Sequence, residues 1–198
     1  MWTNYLVFRL LEKCPNVYAC TKAVSEFMLK KEGSDIPLAI IRPSIVTAAS
    51  EEPIPGWIDN LNGPTGVIAG VAKGILRTIY ANPDVVADLI PVDFVVNLMI
   101  VSAYYTAEHH KSLIIFNCCT GQLKPLTWGQ FRDHFFDCGF QNPVKSLIWY
   151  PSISMDRSLY VHRLKVICYH YLPAYFIDAA TSITGSKFKL VILCWWLV

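Results

Sequence analysis

The chain has no Cys-x-x-Cys pair, no ladder of basic and aromatic residues, and no glycine among the 17 residues that precede Tyr18. The first absence removes the compact zinc and dithiol motifs, and the second disfavours a nucleic-acid partner. The third denies the start of the chain a glycine-rich cradle for a dinucleotide diphosphate. Charge is also scarce, at 16% of residues against roughly 25% in an average globular protein. The net charge of +2 says little about partners. Met1 to Leu11 is apolar but carries Arg9, and it lacks the basic start, long apolar core and small-residue cleavage site of a secretory signal. It is expected to be a buried strand or a consequence of where the sequence begins. The uncharged run Leu190 to Val198 is too short to span a hydrocarbon core. It is the start of a hydrophobic anchor or a helix docked on further core.

What is present is apolar bulk. The 198 residues suffice for one domain or slightly more, with 54% hydrophobic residues and a mean hydropathy of +0.37. Those values suggest incomplete burial, a membrane surface, or both. The seven cysteines are odd in number and irregularly spaced, which fits reduced thiols better than a disulfide framework. His109-His110 adjoin in a polar turn, and His162 and His170 lie in a basic, aromatic stretch, so no metal site is read.

The order of elements argues for α/β. Asn16 is a cap for a helix in which Val17, Cys20, Val24, Phe27 and Met28 form one apolar face, ended by Gly33. Leu38 to Ile41 reads as a strand buried on both faces, stopped by Arg42-Pro43 because proline offers no N–H. Residues 50 to 66 form a shaped loop whose Trp57, Ile58 and Leu61 need cover. A helix is expected over 67–80 and a connection over 83–91. Asp93 then begins an apolar helix, favoured by the positive helix end. Leu113 to Phe116 is a further strand, and Thr127 with Gln130 has capping-box spacing for a helix closed by Gly139. Beyond Leu147 the chain is rich in aromatics, with helices expected over 166–180 and 189–198.

Tyr18 and Lys22 carry the chemistry. Positions i and i+4 share a helical face with Cβ atoms about 6 Å apart. A free phenol, with a pKa of about 10, is a weak acid at neutral pH. A neighbouring ammonium favours the phenolate and makes the phenol a better proton donor to a carbonyl that is accepting hydride. The same lysine suits a cofactor ribose. The ordinary alternative is an amphipathic tyrosine beside a surface lysine, with Lys22 and Glu26 as an i,i+4 ion pair. The strand-to-turn sequence Leu38 to Ser44 favours the chemical reading. It sets Pro43 and Ser44 beyond the carboxyl end of an apolar strand, where open α/β sheets bind ligands. Gly63 to Gly70 has the wrong spacing for Gly-x-Gly-x-x-Gly and reads as a loop-to-helix turn.

Pro15 to Ala23 with Glu26 resembles the active-site helix of the fatty acyl-CoA reductases, extended members of the short-chain dehydrogenase/reductase superfamily. Ile41 to Val46, Pro55 to Gly66, Ala87 to Asp93, Phe116 to Trp128 and His170 to Asp178 resemble further segments of that family, especially its insect members. The resemblance implies the C-terminal portion of an extended Rossmann-type reductase domain over 1–145, then an apolar helical, membrane-associated region from 146 to 198. It implies reduction of long-chain fatty acyl-CoA to fatty alcohol through an aldehyde with two NADPH. Tyr18 and Lys22 take the catalytic positions, with Lys22, Pro43, Ser44, Ile45 and Val46 flanking the cofactor. It places the protein at the endoplasmic reticulum or peroxisome membrane, facing the cytoplasm, with homo-oligomers open. Residues 53 to 70 are expected to shape the acyl or thioester path. The family's glycine loop, first strands and carbonyl-holding Ser or Thr belong before Tyr18, where Thr3 is a poor substitute. The chain is therefore expected to be incomplete, catalytically incompetent and marginally stable. The competing class is a non-enzymatic membrane-associated or heterodimerising module derived from a reductase. A reductase of sterols or sugar nucleotides fits the apolar composition and the Trp57 to Gly66 loop less well.

Overall fold

The computed structural model describes residues 15–33, 35–109, 113–145 and 147–183. The expected strand at Met1 to Leu11, Thr3, and the expected helix at 189–198 lie outside them. The chain forms two compact units, one of residues 1–55 and 90–119, the other of 56–89 and 120–198.

The first unit begins with α1, Val17–Glu32, capped as expected by the Asn16 side chain, which accepts the Ala19 N–H at 2.7 Å. Gly33 ends it by donating its N–H to the Leu29 carbonyl. Strand β1, Ala39–Pro43, pairs in parallel with β5, Ile114–Cys118, from Ala39 opposite Ile114 to Pro43 opposite Cys118. The strand thus runs through Arg42 and Pro43, which had been expected to stop it. Ser44 donates its N–H to the Cys118 carbonyl, so the nitrogen of the preceding Pro43 faces away from β5 and no ladder bond is lost. Nor is β1 buried on both faces: Ala39, Ile40 and Ile41 are half-buried, and Arg42 and Pro43 are exposed. Strand β2, Ile45–Thr47, pairs with β4, Leu89–Pro91, a strand within what read as a connection. Helix α3, Val92–His109, follows. Ile90, Val95 and Cys118 form a small core, against which Ile41 and Leu98 pack.

In the second unit, α2 covers only Pro64–Ala72. Thr78–Tyr80, expected to be helical, is strand β3, parallel to β6, Ser154–Asp156. Gly74 explains the break, because it adopts φ +74°, a conformation that ends helices and that side chains disfavour. Helix α4, Trp128–Gln141, opens on the expected capping box: Thr127 and Gln130 each accept the other's backbone N–H, at 3.2 and 3.0 Å. It runs past Gly139 to Gln141, since Gly139 does not take the left-handed conformation. Helix α5, Leu159–Val166, continues through a π-helical turn, Ile167–Tyr171, into α6, Leu172–Ile183. Among the described residues no helix is long and apolar enough to cross a membrane.

Candidate functional site

Helix α1 presents Tyr18 at 71% exposure, and the Lys22 Nζ lies over its ring, 5.5 Å from the centroid. The i,i+4 spacing therefore brings the two groups together as a local consequence of helix geometry. Of the five apolar residues read as the buried face of α1, only Cys20 is buried, while Val17, Val24, Phe27 and Met28 are exposed. Among the described residues a side-chain cap at Asn16 and a polar clasp from Glu26 to Arg42 engage this helix.

That clasp is Glu26. Its carboxylate receives both the Nε and Nη2 donors of Arg42, the former at 2.9 Å. The bidentate bond from Arg42 draws the Glu26 pKa below its ordinary value and raises that of Arg42. The ordinary reading, in which Glu26 pairs with Lys22, is overturned. Arg42 precedes Pro43 and Ser44, so the clasp ties the Tyr18 helix to the strand end that was singled out with it. At that strand end, the Ser44 hydroxyl is buried and without a hydrogen-bond partner among the described residues. Ile45 and Val46 follow in β2, both exposed at about 40%.

Beyond this strand end, Asp93 gathers the 50–52 turn. Its carboxylate accepts the N–H groups of Ser50 at 3.1 Å, Glu51 at 2.9 Å and Glu52 at 3.3 Å. These bonds, Ser50 and Glu51 foremost, lower its pKa to about 2 against an opposing effect of burial. Position alone suggested a role at the helix end, and the turn it holds was not anticipated.

The second unit contributes two features that sequence reading missed. An apolar cavity of about 340 Å³ is lined by Ile68, Phe135, Phe136, Phe140, Leu147 and Tyr150, among others. Its signal was present as the aromatic cluster on α4. Nearby in sequence, the buried Thr78 donates to Asp156 at 2.8 Å and lies 3.2 Å from the Nδ1 of His162. Lys165 reaches both Asp156 and Ser154. Burial pushes the Asp156 pKa up, but the bonds from Lys165, Thr78 and Ser154 outweigh it and lower the pKa. This network fastens α5 to the β3–β6 pair. Asp88 similarly accepts the N–H groups of Thr120 and Gly121, at 2.9 and 3.0 Å.

The dinucleotide expected here is tested by what the residues offer. The orphaned Ser44 hydroxyl fits a polar group of a cofactor, and Tyr18 and Lys22 are accessible. In the described residues, Gly63 and Gly66 border a helix start rather than a Gly-x-Gly-x-x-Gly turn. Among the described residues a diphosphate cradle of that spacing is therefore absent, while Ser44 offers one unpaired hydroxyl.

Comparison with known proteins bears on the same stretch. The profile of an NAD-binding family described as "Male sterility protein" matches residues 3–99. Fatty acyl-CoA reductase 1 of Xenopus laevis is 39% identical over 189 residues, which cover 95% of this chain and 37% of that protein. The human protein of the same name is 37% identical, with the same coverage. The chain therefore spans little more than a third of the length of these relatives, 37%. A crystal structure of a candidate epimerase from Burkholderia cenocepacia superposes with a TM-score of 0.50 at 17% identity, over 71% of this chain and 40% of that one. That likeness concerns the Rossmann-type α/β fold alone. Sequence similar to the fatty acyl-CoA reductases thus runs through 95% of this chain, and its parallel strands give it the α/β character of a Rossmann-type fold.

Proposed function

We propose that this chain supplies the proton-delivering and nicotinamide-flanking part of an enzyme that reduces long-chain fatty acyl-CoA with NADPH. The observation that carries the reading is the placement of Lys22 against an exposed Tyr18 on a helix clasped through Glu26 to Arg42. NADPH, when bound, supplies the hydride. Tyr18 gives its phenolic proton to the carbonyl oxygen, and Lys22 stabilises the phenolate left behind. Lys22 also offers an ammonium donor to a ribose hydroxyl, while Pro43, Ser44, Ile45 and Val46 flank the nicotinamide. Release of CoA in a first reduction gives an aldehyde, and a second reduction gives the alcohol. The aromatic-lined cavity beside Ile68 supports an apolar substrate chain. The exposed apolar residues of α5 and α6 support work at a membrane, with the endoplasmic reticulum or peroxisome as the compartment.

The sequence holds no glycine-rich diphosphate cradle of the required spacing, so the 198 residues are proposed to be inactive alone. The test is a chimera in which this chain replaces its matching segment in the Xenopus laevis relative. The purified chimera is expected to oxidise NADPH when given a long-chain acyl-CoA. Changing Tyr18 to Phe is expected to lower kcat more than tenfold, within the roughly 10²–10⁴ that a positioned acid contributes. A smaller loss rejects the role of Tyr18.

A further inference from the structure

Arg77, half-buried between α2 and β3, is a cation with no counter-charge among the described residues. Its guanidinium carbon lies 5.1 Å from the ring centroids of both Trp149 and Tyr169. Among the described residues its Nε is buried and meets no acceptor, and no carboxylate pairs with it. Asp156, the buried acid of this unit, is already engaged by Lys165, Thr78 and Ser154. Cations withdrawn from water are ordinarily paired, because an unmatched buried donor carries its full desolvation cost.

The setting is built around this side chain. Ile148 and Trp149 both donate their N–H to the Lys73 carbonyl, at 3.0 and 3.3 Å. Gly74 lets that segment approach: a Cβ there would lie 2.2 Å from the Trp149 carbonyl oxygen. Tyr169 comes from the π-helical turn, a feature frequent at functional sites. The next residue, His170, accepts the Arg77 backbone N–H at its Nε2, at 3.4 Å. A nitrogen that accepts in this way gives Arg77 no negative partner. Stacking on aromatic rings fixes a guanidinium while its in-plane N–H groups stay free for a bidentate oxyanion.

We infer that Arg77, held by Trp149 and Tyr169, is the receptor for a phosphate group of a ligand. The phosphate source rests on the reading above, in which acyl-CoA and NADPH both bring phosphates, and the CoA portion is the favoured one.

Calorimetric titration of the 198-residue chain with CoA, NADP⁺ and inorganic phosphate, at fixed ionic strength, tests this. CoA is expected to bind saturably, and Arg77→Met to weaken it about tenfold or more, as loss of a charged hydrogen-bonding partner does. Arg77→Lys, which keeps charge but loses the fork, is expected to fall between. Stronger binding of NADP⁺ with the same Arg77 dependence keeps the receptor and moves the source to the dinucleotide. Equal affinity in wild type and Arg77→Met, or no binding of any of the three, overturns the inference and leaves Arg77 a packing residue. Should Arg77→Met lose its circular dichroism, the wild-type midpoint decides: no rise in phosphate over chloride overturns the proposal. The titration reads binding without turnover, whereas Tyr18→Phe is read as kcat in the chimera, so the receptor and the reductase reading can fail separately.

Discussion

A carboxylate that accepts three backbone N–H groups binds its proton more weakly folded than unfolded, and Asp93 is such a group. Its pKa of about 2 lies below its ordinary 3.8. The unfolded chain therefore takes up this proton first as pH falls. The stabilisation from Asp93 is complete well above 3.8, shrinks as pH falls towards about 2, and is gone below it. Asp93→Asn is expected to lower the thermal midpoint at neutral pH and to converge with wild type across that window. A constant gap between the two melting curves from pH 7 to pH 2 would assign the acid limb elsewhere. At this scale the sequence showed Tyr18 and Lys22, because four residues on one helix have only one geometry. It did not show that Glu26 turns to Arg42, since that choice depends on a strand 16 residues away that brings a planar, two-pronged donor within reach. Ser44 was singled out, but the burial of its hydroxyl with no partner among the described residues is a fact of packing.

Elements bounded by local chemistry were readable. Asn16 and Thr127 cap their helices through bonds that span three residues, so their spacing in sequence is their geometry in space. The short strands were not readable. Thr78–Tyr80 and Ser154–Asp156 become strands by pairing with each other across more than 70 residues, and neither has enough alternation to declare itself. Gly74 separates helix from strand, and only its φ of +74° and the nearness of Trp149 reveal this. Gly74→Ala is expected to cost about 1–2 kcal/mol for the left-handed backbone alone, and more through collision with the Trp149 carbonyl. Denaturant unfolding of the variant measures this, and a loss below about 0.5 kcal/mol would mean that the turn relaxes freely.

Across the described residues, much apolar surface is exposed. Val17 and Phe27 of α1 are 58% and 64% exposed, and Tyr160 and Phe176 of α5 and α6 are 83% and 74% exposed. Monomeric proteins seldom leave so many large apolar groups uncovered together. On the membrane reading, the 198-residue chain is expected to float with phospholipid vesicles in a density gradient. A chain that stays in the dense fraction as a monomer would remove the membrane from the proposed function. The sequence by itself determined the α/β class, the helix caps and the pairing of a phenol with an ammonium, because each rests on residues a few positions apart. Only the tertiary structure decided that Arg42 clasps Glu26, that residues 78–80 are a strand, and that Arg77 meets two rings and no carboxylate among the described residues. Those outcomes depend on distant segments competing for the same donors and the same space, and that competition is resolved only when the chain is folded.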